Sequence, residues 1–105
     1  MIHLRLSKLA EVCRGQVLQP TARAEIIGVS TDSRTVTPGQ AFFALQGERF
    51  DGHDFAGDAA ARGAAAVVVS RDVRDALPDS CGAVRVEDTV SALGRLARWY
   101  RDHFD

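Results

Sequence analysis

Lysine is nearly missing from this 105-residue chain: Lys8, in "RLSKLAE", is the single one among 13 basic residues. A triphosphate-binding loop of the form G-x-x-x-x-G-K-[ST] needs that lysine, because glycine-freed backbone amides and an ammonium together cradle the phosphates. No stretch matches, so the chain carries no recognisable ATP site. Any phosphate contact falls to arginines, hydroxyls or backbone amides. Cysteine is scarce too. Cys13 and Cys81 fit no metal or redox spacing and read as small buried apolar groups rather than a disulfide. Nor is there a basic excess: 13 basic against 14 acidic residues leave a formal charge of −1. A domain that wraps nucleic acid or lies on an anionic membrane normally carries such an excess. No apolar run approaches the roughly 20 residues that cross a bilayer, and "MIHLRLSKLAEV" lacks a signal peptide's apolar core. The expectation is a cytoplasmic protein with neither nucleic acid nor membrane as partner. Internal repeats and low-complexity stretches are absent as well.

What is present suits one folded domain spanning residues 1–105, with 46% apolar and 26% charged residues. "IHLRL" alternates like a strand, Ser7 reads as a helix N-cap, and Gly15 fits the left-handed position after the helix. "QVLQP" and "AEIIGVS" read as strands. "TDSR" breaks the pattern, and "TVTPGQ" is a turn with Pro38 and Gly39 at its centre. "AFFAL" is a short strand buried on both faces. Asp54 is placed to cap a helix through about Arg62, which Gly63 ends, with Phe55 and the alanines 59 to 61 packed inward. "AAAVVVS" carries the strongest strand signal, rich in β-branched residues. "RDVRDALPDSCG" is polar with one helical turn, and "AVRV" is a strand. Asp88 or Thr89 caps a last helix whose Val90, Leu93, Ala97, Tyr100 and Phe104 recur at three- and four-residue steps. The fold class is therefore α/β: a small mixed β-sheet with flanking helices. The last helix runs to the chain end without a C-cap glycine, which fits either a natural terminus or a chain that continues into a further domain.

Two polar clusters flank "AFFAL". In Thr31-Asp32-Ser33-Arg34, short hydroxyl and carboxylate side chains either bind a ligand's polar edges or organise their own turn. Arg34 either pairs with Asp32 or meets an anion. In Gly47-Glu48-Arg49-Phe50-Asp51-Gly52, two glycines allow close backbone approach. Phe50 is either a plug into the core, the commoner outcome, or a surface on which a flat ring stacks. Asp51, His53 and Asp54 match no strong metal-ligand motif, and His53 reads as a hydrogen-bonding structural residue. A hydrolase assembled from Ser33, His53 and Asp51 lacks the glycines of a nucleophile elbow. If "GVS" and "AFFAL" run parallel, both clusters meet at the carboxyl ends of the strands, the usual ligand side of an α/β sheet.

The order and spacing of "TDSR", "PGQAFFALQGERFDGHDF" and "AAARGAAAVVVS" resembles the N-terminal domain of the Mur ligases of peptidoglycan synthesis, over nearly the whole chain. "ERFDGHDF" favours the member that adds D-alanyl-D-alanine to UDP-N-acetylmuramoyl-tripeptide. The member that adds the third amino acid shares "DSR" and a G-x-x-x-D-G loop and is the alternative, beside a freestanding protein-interaction domain. The resemblance implies a cytoplasmic, ATP- and magnesium-dependent amide ligase of three domains, whose first domain holds the UDP end of the substrate. It carries uridine contacts onto Thr31, Ser33, Glu48, Arg49 and Phe50, with Asp32, Arg34, Gly47 and Asp51 in support. The central ATP-binding and C-terminal domains would be partners within the same polypeptide. No P-loop, magnesium ligand or amine-binding domain has a counterpart in these residues, so ligation by this chain alone is not expected.

Overall fold

A computed structural model describes residues 3–21 and 25–104, the side chain of residue 104 excepted. Ile2 and Ala24, expected within strands, and the Phe104 side chain lie outside that description. Eight elements follow in order: α1 (Leu6–Cys13), β1 (Gln16–Gln19), β2 (Val29–Ser30), β3 (Ala41–Phe43), α2 (Ala56–Ala61), β4 (Ala66–Val69), β5 (Gly82–Arg85) and α3 (Thr89–Phe104). Short 3-10 turns at Gly52–Phe55 and Arg74–Ala76 complete them. The strands form one sheet in the order β1-β5-β4-β3-β2. β2 through β5 pair in parallel, and β1 closes the edge antiparallel to β5. The expected small mixed sheet with flanking helices is what forms.

Alternation within the parallel strands divides the core. Phe43, Ala66, Val68 and Val84 face α1 and α3, which supply Leu6, Leu9, Ala10, Cys13, Ala92 and Leu96. Phe42, Val67, Val69 and Ala83 face the other way, against Ala56, Ala59 and Ala60 of α2. All of β4 is buried, as expected for a parallel strand covered on both faces. Both cysteines are buried and free. Burial pushes the Cys13 thiol up to about 11 despite the nearby Arg95.

Several local expectations are corrected. Residues 3–5 make only a bridge between Leu4 and Ile26, because α1 already begins at Leu6. Its N-cap is extended Arg5, without a side-chain cap bond, and Ser7 lies inside the first turn. Arg14, not Gly15, takes the left-handed position, at φ 58. Gly15 is demanded by crowding instead: a Cβ there would meet Val84 Cγ1 at 2.6 Å and the Arg85 carbonyl oxygen at 2.7 Å. "AEIIGVS" yields the short β2 plus the Ile26 bridge. Ala61 and Phe55 are exposed, leaving Ala59 and Ala60 to pack.

The buried face of α3 is displaced from the expected stripe. Thr89, Ala92 and Leu96 are buried, with Leu93, Trp99 and Tyr100 half-buried, whereas Val90 is 62% exposed and Ala97 is exposed. Both sets repeat at helical spacing, so periodicity leaves the phase open. Small Ala92 decides it, letting α3 approach α1 closely enough for the Cys13 thiol to reach the Ala92 carbonyl oxygen. Asp88 is the residue that caps α3, accepting from the Val90 amide at 2.9 Å.

Candidate functional site

The β2–β3 connection runs from residue 31 to residue 40 without a helix. Its first turn is organised by its own side chains. The Asp32 carboxylate accepts from the Arg34 backbone amide at 2.9 Å and from Arg34 Nε and Nη2 at 3.1 and 2.9 Å. The Arg34 side chain is the main cause holding the Asp32 carboxyl down at about 2. Ser30 Oγ donates to the Asp32 carbonyl oxygen at 3.0 Å, and Thr35 bonds the same oxygen. Asp32 and Arg34 thus spend their polar atoms on the turn. Two hydroxyls remain. Thr31 is exposed and Ser33 is buried, and neither side chain has a hydrogen-bond partner among the described residues.

The second cluster is a tight turn beyond β3. The Gly47 amide donates to the Phe50 carbonyl oxygen at 2.8 Å, and Gln46 bridges to Asp51. Glu48 and Arg49 sit at the exposed tip. Phe50 is not a core plug. It is 60% exposed and meets Phe55 edge to face, with ring centroids 6.2 Å apart. Gly52 is pressed onto the end of β3, where a Cβ would lie 2.7 Å from the Leu45 carbonyl oxygen.

Asp51, rather than Asp54, caps the following 3-10 turn, accepting from the His53 amide at 3.0 Å. The same carboxylate takes the His53 ring at 2.6 Å and Arg71 Nη1 at 2.6 Å. Burial pushes this carboxyl up, but the bonds from Arg71 and His53 prevail and hold it well below the ordinary range. Asp54 stays exposed, with Arg71 Nη2 at 3.4 Å. His53 is structural, as expected, but its hydroxyl neighbour is Ser70, at 3.2 Å from Nε2. A Ser33–His53–Asp51 arrangement does not form.

Because β2 and β3 run parallel, the clusters face each other across a cleft of about 550 Å³ at the carboxyl ends of the strands. Thr31, Asp32, Ser33 and Arg34 line one side, and Phe50, Gly52 and Phe55 the other, with Phe42 of β3 and Asp58 of α2 completing it. Glu48, Arg49, Gly47 and Asp51 are outside this lining. Sequence reasoning did not assign Phe42, Gly52, Phe55 and Asp58 to a site. A usable signal existed for two of them, since Phe55 and Asp58 stand three residues apart on one helical face. The size falls within the range of small-molecule sites. Chemically, the cleft offers aromatic surface for a flat ring and hydroxyl and carboxylate groups for its polar edges.

Comparison with known proteins adds an independent line. Residues 25–101 match the family described as "Mur ligase family, catalytic domain". The chain belongs to the Mur ligase family. Among Mur ligases, it is 45% identical to the UDP-N-acetylmuramoyl-tripeptide–D-alanyl-D-alanine ligase of Escherichia coli, over 96% of this chain and 21% of that protein. It is 47% identical to the UDP-N-acetylmuramoyl-L-alanyl-D-glutamate–2,6-diaminopimelate ligase of Aquifex aeolicus, over 67% of this chain and 14% of that one. The crystal structure of the MurF ligase of Acinetobacter baumannii superposes with a TM-score of 0.82 at 32% identity, covering 97% of this chain and 22% of that one. The chain thus spans about a fifth of the length of the relatives that match its full extent.

Proposed function

We propose that this chain is the N-terminal domain of the Mur ligase that joins D-alanyl-D-alanine to UDP-N-acetylmuramoyl-tripeptide in cytoplasmic peptidoglycan synthesis, and that it holds the uridine end of that substrate. The observation that carries the binding assignment is the Ser33 hydroxyl, on a largely buried residue but open to the cleft. It has no partner among the described residues and stands at the cleft wall across from the Phe50–Phe55 pair. Folding does not use this hydroxyl, so it is free to bond a ligand's polar edge. Thr31 and Ser33 hydrogen-bond the polar edge of the uridine, and Phe50 and Phe55 offer ring surface to the base. Glu48 and Arg49 act from the turn tip, partly through backbone groups, and Asp32, Arg34, Gly47 and Asp51 brace the two loops. The dipeptide-adding identity is favoured because two such relatives match 96% and 95% of the chain, while diaminopimelate ligases match 67%, 74% and 90% of it.

Ligases of this family are ATP-dependent, and the resemblance implies magnesium with the ATP. The residues here do not fit them. Lys8 lies on α1 and bonds Glu11 at 2.7 Å. Among the described residues, no group of three His, Cys, Asp or Glu is placed to hold a metal. No step of acyl activation is therefore assigned to this chain; ATP would act on another domain of the same polypeptide. No helix in the described residues is long and apolar enough to cross a membrane.

The test is an amide NMR titration with UDP-N-acetylmuramoyl-tripeptide, with UDP and ATP in parallel. Shifts confined to Thr31–Arg34, Phe50–Phe55 and Asp58 with the uridine ligands are the expected result. Equal shifts with ATP, or none at Ser33 and Phe50, would remove the site assignment.

A further inference from the structure

The cleft's aromatic side rests on one buried side chain. Phe50, Gly52 and Phe55 all lie on residues 50–55, and the inward-pointing polar group of that segment is His53, 4% exposed. Its ring is held at both nitrogens. The Ser70 backbone N–H, which can only donate, reaches Nε2 at 2.9 Å. Nε2 must therefore be the bare nitrogen, and Nδ1 carries the proton that it donates to Asp51 Oδ1 at 2.6 Å. Asp51 is in turn held by Arg71, which follows Ser70 at the end of β4. Among the described residues, the segment's side-chain bonds to the end of β4 are those of His53 to Ser70 and of Asp51 and Asp54 to Arg71.

We propose that His53 is a positioning residue for the cleft: singly protonated, it holds the Phe50–Phe55 wall against the end of β4, and a second proton loosens that wall. Protonated Nε2 would point an N–H at the Ser70 N–H, donor against donor. The Ser70 hydroxyl, 3.2 Å away, can accept the new proton. The backbone amide would still lose its acceptor, so the ring and strand end must separate. The charged groups facing the ring are Asp51 on its own segment and Arg71 beyond β4, with Asp54 reaching the site through Arg71. The effect on ligand affinity rests on the nucleotide reading above; the effect on the wall does not.

The test follows the His53 ring nitrogens and the Phe50, Gly52 and Phe55 amides by NMR from about pH 8 to about pH 5. It uses this chain and its His53→Gln variant, with a UDP titration at each end of the range. Glutamine keeps an acceptor for the Ser70 amide and cannot titrate. We expect the Nδ1–H form at the alkaline end and wall amides that shift with the ring's own midpoint. UDP affinity should fall about fivefold as the ring charges, the equivalent of one lost hydrogen bond. Both pH effects should vanish in His53→Gln. A ring that stays neutral throughout, a ring that charges without moving the wall, or the same acid loss in His53→Gln would each overturn the proposal. Wall amides that follow the ring in a chain indifferent to UDP would sustain the positioning role and sink the nucleotide reading instead.

Discussion

The two loops that frame the cleft are built on opposite plans. The Ser30–Thr35 turn is closed by bonds between residues two or three apart in sequence, with its arginine and carboxylate on the surface. The Gly47–Phe55 loop adds to its local Gly47–Phe50 bond two others that span 17 and 20 residues, from the Ser70 amide to the buried His53 ring and from Arg71 to Asp51. The first loop takes its side-chain bonds from neighbours in sequence, and the second takes part of its own from the end of β4. Hydrogen bonds cut off from water are worth more than solvated ones, and breaking one strands its partner. The second loop is therefore where stability and cleft geometry are coupled, and the first carries two hydroxyls, of Thr31 and Ser33, that folding does not use.

The largest test of this contrast is His53→Ala. It removes a buried ring, leaves the Ser70 amide without its acceptor and frees Asp51, so unfolding by urea should show a loss of about 3 kcal/mol. Asp32→Ala, which breaks an exposed pair, should leave the urea midpoint nearly unchanged. A loss in Asp32→Ala comparable to that in His53→Ala would erase the distinction between the loops.

Acid sharpens it further. The Asp51 carboxyl is depressed in the folded chain, so its stabilising contribution is complete above the unfolded value and disappears as pH falls through the folded one. Stability should begin to fall below about pH 5, and Asp51→Asn should be weaker near neutrality by about 2 kcal/mol but flatter across the acid limb. Asp32 has the same sign, with its carboxyl at about 2. Salt separates the two: at about 1 M the screening length is roughly 3 Å, which quenches the exposed Asp32–Arg34 pair before the half-buried Asp51 network. An acid limb in Asp51→Asn as steep as in the parent chain would show that the network contributes nothing.

This contrast also governs what could be read from the chain itself. The strands β3, β4 and β5, the turn at Pro38–Gly39 and the Thr31–Arg34 turn were legible because their signals are local: apolar and β-branched runs, turn residues and short polar side chains next to a strand. The partners of His53 were not, since nothing in "DGHDF" points to Ser70 seventeen residues on. Phe50 was misjudged for a related reason. Composition favours burying a phenylalanine, but the tight Gly47–Phe50 turn, held by the Gly47 amide, aims this one outward against Phe55. Helix starts failed because α1 and α2 begin without side-chain caps, at Arg5 and Phe55, while the capping carboxylate of Asp51 serves the 3-10 turn before α2. The face of α3 failed because two stripes share one period.

Ser33→Ala tests the ligand side of the contrast. With no partner among the described residues, the hydroxyl contributes little to folding, so unfolding should change by less than about 0.5 kcal/mol. Binding should suffer more. Losing one hydrogen bond to the uridine costs about 1 kcal/mol, or roughly fivefold in affinity for UDP by titration. A variant that unfolds much more easily yet binds as well as the parent would reverse the role given to Ser33.

The smallest effect is expected at the turn tip. Glu48 and Arg49 are exposed and lie outside the cleft lining, to which the turn contributes Phe50. Replacing both by alanine keeps the Gly47–Phe50 hydrogen bond and removes only exposed side chains, so UDP affinity should change less than about threefold and stability hardly at all. Side chains at such a tip act on a ligand only if the turn folds over it. A loss as large as that of Ser33→Ala would therefore mean that the tip closes onto the base when the nucleotide binds. The Gly47–Phe55 loop would then be rigid at its His53 end and mobile at its Arg49 end, with the closing motion pivoting on Gly47 and Gly52.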